Sequence, residues 1–586
     1  MDRQTLFAII LITIVILLLP SYYNWMGYKS HEKSQTVPLV NDSAQVQQEP
    51  IEQVLVSEEE ITQEKEITQT DSANQAAKEY FIEIETPLVK AKISNKGGGD
   101  FIYWYLKRYK TYHQTPVKII DDTLQNGLQT SFLSMNGEKV NFSEFDFYPE
   151  IEENRTVYLR SGETFNVRYT LEINGSKIEK QLTFYADKYH VDIEIFIMNA
   201  DELILTNEYQ VGWINGLPAN EANVSEDYSY SEAYTSMGGE VESYVIDSED
   251  KIDDRSLNGK TEWAAVRTKY FIAALIPENS ENILGVTFNG KGIKSKGIIQ
   301  RQYNTFLNVS TYQKNNVIDR YKLYLGPLDH TILSGYRSGI EDLIMSRGWY
   351  ERIFRPFSLA ILWLFKKVQA LIPNYGLVII IFSILVKIVV YPLTKKSYKS
   401  MREMSKVQPL MNELREKYKS DPKRLNREMM KLYKEHHINP LGGCIPMLLQ
   451  MPLLVALFIV FRSTIQLRGA MFIPGWINDL SAPDTLALLP FSLPLYGNQF
   501  NLLPLLMAGT MIFQSKMTMK DPKQKAMVYL MPIFMLLIFN QFPSGLNLYY
   551  TLFNLWTIIQ QKFIERGKSE EKLAPIPKNE KRKNRK

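Results

Sequence analysis

A chain of 586 residues is too long for one ordinary domain, and its mean hydropathy of -0.20 is the average of a polar half and an apolar half. The single cysteine, Cys444, excludes an intramolecular disulfide framework, and within an apolar run it reads as a small packed residue rather than a nucleophile. The formal charge of +3 is small but uneven, with basic residues crowding 395–439 and the tail after Phe563, and acidic ones gathering in 42–85.

Leu6 to Leu19 (LFAIILITIVILLL) is a continuous apolar run, short of the ~20 residues of a full span but extendable through Tyr22, Tyr23 and Trp25 as interfacial aromatics. No small-x-small cleavage site follows, so residues 1–25 are expected to form an uncleaved anchor span rather than a signal peptide. Residues 26–78 are rich in Glu and Gln, poor in aromatics and without a sustained period, which predicts a disordered acidic tether. Residues 79–345 carry short alternating stretches such as YFIEIETP, TFNVRYTLEI and HVDIEIFIM, punctuated by NKGGG and NG turns. They predict a large all-β domain whose strands need two sheets to bury their inner faces.

Within 346–372, Ile353, Phe357, Ile361, Leu364, Val368 and Leu371 recur at three- and four-residue steps, while Arg352, Arg355, Lys366, Lys367 and Gln369 interrupt the apolar run. The spacing predicts an amphipathic helix lying in a membrane interface, ended by Pro373. Residues 373–563 then hold five candidate spans, roughly Tyr375 to Leu393, Leu441 to Phe461, Asn501 to Met517, Ala526 to Phe542 and Gly545 to Gln561. With the anchor this makes six spans in all and places both termini on one side. The positive-inside rule puts 395–439, the link 516–525 and the tail 564–586 in the cytoplasm and the β domain outside it. Segment 395–439 reads as a helical hairpin: Met401, Met404, Gln408, Met411 and Leu414 fall near heptad spacing, and Asp421-Pro422 opens a second helix. Pro392 and the NPLGG turn would let that hairpin move as a unit, and its positive charge suits an acidic or RNA-bearing partner or anionic lipid.

No phosphate loop, HExxH or GxSxG motif is present, and His436-His437 are adjacent, so a helix would point them apart. What stands out is polarity inside the spans. Ser383, Lys387 and Tyr391 lie at i, i+4 and i+8, and Asn547, Tyr550, Asn554, Thr557 and Gln561 form a second stripe, with Gln450 and Gln514 on other spans. Single amides and hydroxyls glue helices together, whereas two full stripes suit a shared wet interior. Lys387 sits about 10 Å below the surface marked by Thr394, and its side chain tilts toward the outer end of its helix. A charge at that depth costs roughly 3 kcal/mol, which favours a polar cavity over snorkelling.

The stretches YPLTKKSY (391–398), NPLGGCIPMLLQMP (439–452), FPSGLNLYY (542–550) and NLWTIIQQ (554–561) resemble the YidC family of bacterial membrane protein insertases. The anchor and β domain resemble that family's Gram-negative form, whose periplasmic domain is a β-supersandwich similar to sugar-mutarotase folds. The resemblance implies a multi-domain membrane protein: an all-α transmembrane core of five spans plus the anchor, a periplasmic β domain and a cytoplasmic helical hairpin. It implies no cofactor and no enzymatic reaction. It implies a hydrophilic groove, closed to the outside, carrying one positive charge at Lys387, where the family usually has arginine; lysine keeps the charge but not the planar fork. Ser383 would be the family's hydroxyl one turn earlier, and Tyr549 and Tyr550 its paired aromatics. Implied partners are nascent membrane proteins, the ribosome and signal recognition machinery through the basic hairpin and tail, the Sec translocon and membrane lipids, with the monomer as the working unit. Two rivals are an anion transporter or channel using Lys387, against which no inverted repeat is visible, and a tethered mutarotase-like enzyme.

Overall fold

The computed structural model describes residues 78–566 apart from 122–123, 247–251, 296–297, 346–348, 437–444 and 519–524, so the expected anchor, most of the tether and the basic tail lie outside the described residues. The chain falls into two compact units: one comprises the described residues to Pro327 with Ser334–Ile340, the other Leu328–Leu333 and everything from Glu341 onward.

The first unit is mainly β, with short helical turns at Ala200–Leu203 and Val224–Ser229, for the reason its sequence advertises. Ser176–Tyr185 (SKIEKQLTFY) alternates buried and half-buried residues without a slip, which is the period of a strand with one face on a core. It belongs to a nine-stranded sheet running in space Glu240–Tyr244, Glu232–Met237, Thr261–Arg267, Phe271–Pro277, Val317–Pro327, His190–Ile197, Ser176–Tyr185, Thr164–Ile173 and Tyr148–Pro149. A six-stranded sheet, Ile252–Asn258, Ile283–Ser295, Ile298–Ser310, Ile204–Ile214, Gly127–Ser134 and Lys139–Asn141, packs against it. Across the core between them Tyr209 donates to the Asp319 carboxylate at 2.8 Å and lies 2.7 Å from the Tyr321 hydroxyl, a buried polar tie among apolar neighbours.

Two sheets were expected and a third is present. Pro116–Ile120, Asp100–Lys110, Val89–Ser94 and Phe81–Glu85 form a meander, closed by the parallel strand Arg155–Tyr158. Its buried Trp104 donates its indole N–H to the Leu325 carbonyl at 3.0 Å, joining this sheet to the nine-stranded one. The NKGGG turn shows why glycine is needed there: Gly97, Gly98 and Gly99 all have positive φ, and a Cβ on Gly99 would lie 2.5 Å from Leu182. The close approach lets buried Lys180 donate to the Gly97 carbonyl at 3.0 Å.

His190 gives this unit a pH dependence. Its Nδ1 lies 2.6 Å from the Tyr336 hydroxyl, and its Nε2 lies 3.4 Å from Asp192, which also accepts from Tyr185 and Lys322. Burial pushes the imidazole down to about 4, with Asp192 pulling the other way. Between the unfolded value of about 6.5 and that lower value the unfolded chain binds a proton that the folded one does not. Stability is therefore lost as pH falls through that window, by about 3 kcal/mol in all. Hydrogen exchange of the His190–Ile197 amides in the full chain should show this loss, and His190→Gln should flatten it; an unchanged pH dependence in the variant would refute the assignment.

The second unit is helical apart from one hairpin. Its longer helices among the described residues are α1 (Trp349–Gln369), α2 (Tyr375–Lys406), α3 (Gln408–Lys417), α4 (Pro422–Glu435), α5 (Ile445–Ser463), α6 (Leu502–Thr518), α7 (Lys525–Phe539) and α8 (Ser544–Arg566). The last of them, α8, packs on α6, α2 and α5, and α1 packs on α5 and α2. The apolar stripe of α1 divides between an exposed and a packed part. Ile353 and Phe357 are each 58% exposed and Leu371 is exposed too, while Glu351, Ser358, Ile361, Leu362 and Phe365 are buried. Phe365 wedges edge-on against Phe382 of α2 and Phe461 of α5, so packing, not the apolar stripe, sets the helix rotation.

A hinge was expected at Pro392, but α2 runs through it to Lys406. Just past the proline, Thr394 bonds back to the Val390 and Tyr391 carbonyls, the kind of side-chain support that lets a membrane helix carry proline. The helix breaks instead at Val407, which packs with Met411, Leu432 and Tyr433 in a small core flanked by Met404, Leu410, Leu414 and Met429, and the hairpin itself turns at 418–421. Asp421 caps α4 by accepting from the Arg424 N–H at 3.0 Å, as its sequence predicts.

Of the five expected spans, the segment Tyr375–Pro392 has the length and mean hydropathy, 2.2, to cross a membrane, with shorter apolar helices at Gln450–Ser463 and Val528–Phe539. Helices α6 and α7, of 17 and 15 residues, fall short of the ~20 residues of an ordinary span. Phe542, expected at the end of a span, lies instead in the turn before α8.

Candidate functional site

The site grows from the α2–α8 contact. Ser383 is fully buried: its hydroxyl donates to the Ile380 carbonyl at 2.6 Å and accepts the Trp556 indole N–H at 3.0 Å. One turn later Lys387 is half-buried, its Nζ donating to the Thr557 hydroxyl at 2.6 Å and standing 4.0 Å from the centroid of the Phe553 ring. Phe553 and Thr557 are i and i+4 on α8, so one face of that helix supplies both an aromatic surface and an acceptor. No carboxylate pairs with Lys387 among the described residues. Tyr391, the next member of the stripe, is 42% exposed and does not join this cluster.

The α8 stripe divides by role. Asn547 donates to the Phe539 and Phe542 carbonyls at 3.1 and 3.3 Å, holding the end of α7. Tyr549 and Tyr550 are buried, with rings edge-on at 5.2 Å; Tyr549 also packs on Phe382 and Phe553, and Tyr550 on Phe539. Among the described residues both hydroxyls lack a hydrogen-bond partner, as do both amide atoms of buried Gln561, and such groups cost about 1–3 kcal/mol each unless water or a ligand serves them. Asn554 donates to Thr510 of α6 at 3.2 Å. Gln514 on α6 and Gln450 on α5 are half-buried. The residues that hold Lys387 and Ser383 therefore include Phe553 and Trp556, which look like ordinary apolar side chains in the sequence; the place of Phe553 one turn before Thr557 was the available signal.

One end of the bundle is closed. Asp484 accepts from the Leu502 and Leu503 N–H groups, capping α6, and from the Trp476 indole. The Ser544 and Gly545 N–H groups donate to the Ala482 and Leu480 carbonyls, and Gly376 leaves no room for a side chain against Phe472. Segment 464–484 thus covers the N-termini of α2, α6 and α8 together.

Residues 81–359 match the family described as YidC periplasmic domain, and residues 367–572 match 60Kd inner membrane protein. A membrane protein insertase YidC of Chlorobaculum parvum is 35% identical over 583 residues, covering 98% of this chain and 96% of that protein. The chain belongs to the YidC family. The Chloroherpeton thalassium relative, also named membrane protein insertase YidC, is 34% identical over 606 residues, covering 99% of this chain and all of its own length. A solved structure described as an active YidC insertase with its first transmembrane domain resolved is 19% identical with a TM-score of 0.33, covering 82% of this chain and 91% of its own. The first match ends and the second begins within α1, so the three sheets of the β unit fall to the periplasmic-domain family and α2 to α8 to the inner-membrane one. A member of an insertase family, the chain is not an enzyme.

Proposed function

We propose that the chain inserts and helps fold integral proteins in the cytoplasmic membrane, working between α2 and α8. The anchor and five core spans, counting the short α6 and α7, leave both termini and the α3–α4 hairpin in the cytoplasm and the β unit in the periplasm. A groove carrying Lys387, with Ser383, Tyr391, Gln450, Gln514, Asn547, Tyr549, Tyr550 and Asn554 along it, takes up the polar flank of a nascent span. The apolar segment then leaves sideways into lipid. Partition of about 20 apolar residues supplies the drive, in keeping with a sequence that carries no phosphate loop. The basic hairpin and tail suit ribosomes and signal recognition machinery, and the Sec translocon is a co-worker for some clients.

The observation that carries the reading is a half-buried lysine on the segment that, among the described residues, has spanning length, held by a hydroxyl and an aromatic face with no acid paired to it among those residues. Photo-crosslinkers at Tyr391 and Gln514 should capture stalled nascent membrane proteins, while one at Ile353, on the outward face of α1, should not. Equal capture from all three positions would overturn the groove.

A further inference from the structure

Between α5 and α6 stands a β-hairpin that the sequence analysis did not foresee. Thr485–Leu493 pairs antiparallel with Gly497–Asn501, from Thr485 opposite Asn501 to Leu493 opposite Gly497. In the longer strand every residue but Leu489 is exposed, with Leu488 at 69% and Phe491 at 56%, so apolar side chains point away from both faces. No Asp, Glu, Lys or Arg occurs from Thr485 to Ser515. The hairpin is not a loose loop. Asn540 donates to the Tyr496 and Gln499 carbonyls at 2.8 and 2.9 Å, Gln541 donates to the Leu495 carbonyl at 3.3 Å, and the Asn501 amide bonds the Asn540 carbonyl. Buried Tyr496 seats the tip.

We propose that hairpin 485–501 is a lipid-facing wedge, seated in the boundary layer between headgroups and acyl chains on the outer side of the membrane. A flat protein partner covers one face of a two-stranded ribbon and leaves the other wet, whereas a fluid apolar solvent covers both. The ribbon also has an unpaired backbone edge on each strand, which hydrocarbon would penalise, so the boundary layer, about 5–10 Å deep, suits it better than the bilayer core. The chain runs from the hairpin straight into α6, where Leu506 and Phe513 are exposed too. The amide clamp on the α7–α8 turn would fix how far it dips. The inference rests on the proposed reading of α5 and α6 as spans.

The test uses the full chain with Cys444→Ser and single cysteines at Leu488, Phe491, Leu506 or Tyr158, each labelled with an environment-sensitive fluorophore. The vesicles are of phosphatidylcholine and phosphatidylglycerol brominated at shallow or deep acyl positions. Labels at 488 and 491 should be quenched about twofold more by shallow than by deep bromines, and Tyr158, exposed in the β unit, should not be quenched. If 488 and 491 escape quenching while 506 is quenched, the wedge is wrong and the span stands; if 506 also escapes, both fall. Blue-shifted but unquenched labels at 488 and 491 would mean that protein covers the hairpin, a second copy if the shift fades on dilution in lipid and a client if it appears only with stalled chains. Either result overturns the proposal.

Discussion

Lys387→Glu should abolish insertion of clients whose translocated flank is acidic, Lys387→Ala should slow it roughly tenfold, a change of ~1.4 kcal/mol, and Lys387→Arg should preserve it. Lys387 has a hydroxyl acceptor and a ring face but no carboxylate partner among the described residues, so under the proposed reading a protonated Lys387 would offer its charge to a visitor. An opposite charge brought to ~4 Å gains up to ~4 kcal/mol at intermediate dielectric, and a glutamate in its place turns that gain into repulsion. Arginine can still stack on Phe553 and donate to Thr557, which is why it should substitute. Clients with neutral flanks should respond less, and those with basic flanks should tolerate the glutamate. The measurement is insertion of a matched client series with acidic, neutral and basic flanks, normalised to insertase level. Equal insertion by all three variants across the series would make Lys387 a membrane anchor and nothing more.

How much of this was legible depends on whether hydropathy maps onto packing. In the β unit it does: water lies outside and a core inside, so the alternation in Ser176–Tyr185 translates directly into burial. The third sheet was not legible, because its docking depends on the Trp104 bond to Leu325, some two hundred residues away. In the helical unit the mapping fails. An apolar residue there can face protein or lipid, so the stripe Ile353, Phe357 and Ile361 reads as one face, whereas Ile353 and Phe357 are exposed and Ile361 packs inward with Phe365. For the same reason Lys387 and Ser383 announced themselves in an apolar run, while Phe553 and Trp556, which hold them, did not. Asn547 reads as one more member of the stripe, yet its Nδ2 also donates to two carbonyls at the end of α7, a tie that no spacing announces. Hairpin 485–501 lacks the alternation that marks a half-buried strand, which is why it passed as a connection.

The second large effect concerns Glu351 and Arg462, an ion pair of which both side chains are almost wholly buried. Glu351 lies in the first turn of α1 and Arg462 in the last turn of α5, so each charge also complements the dipole of its own helix. The guanidinium lies 4.8 Å from the centre of the Phe458 ring, and Tyr350 donates to the Glu351 carboxylate at 3.3 Å. Removing either partner strands the other charge in a low dielectric. Glu351→Gln or Arg462→Met should therefore cost about 3–5 kcal/mol in the unfolding of the full chain in detergent, and loosen α1 from α5. The double variant Glu351→Leu/Arg462→Met should recover most of that loss, because it leaves no charge unpaired. The swap Glu351→Arg/Arg462→Glu restores the pair but sets each charge against its helix dipole, so it should recover less, by about 1 kcal/mol or more. Cysteine accessibility at Phe365, buried between α2 and α5, reads the loosening independently of global unfolding. Single variants within about 1 kcal/mol of the parent, the ordinary range for exposed pairs, would mean that water reaches this pair and that it does not hold α1 in place.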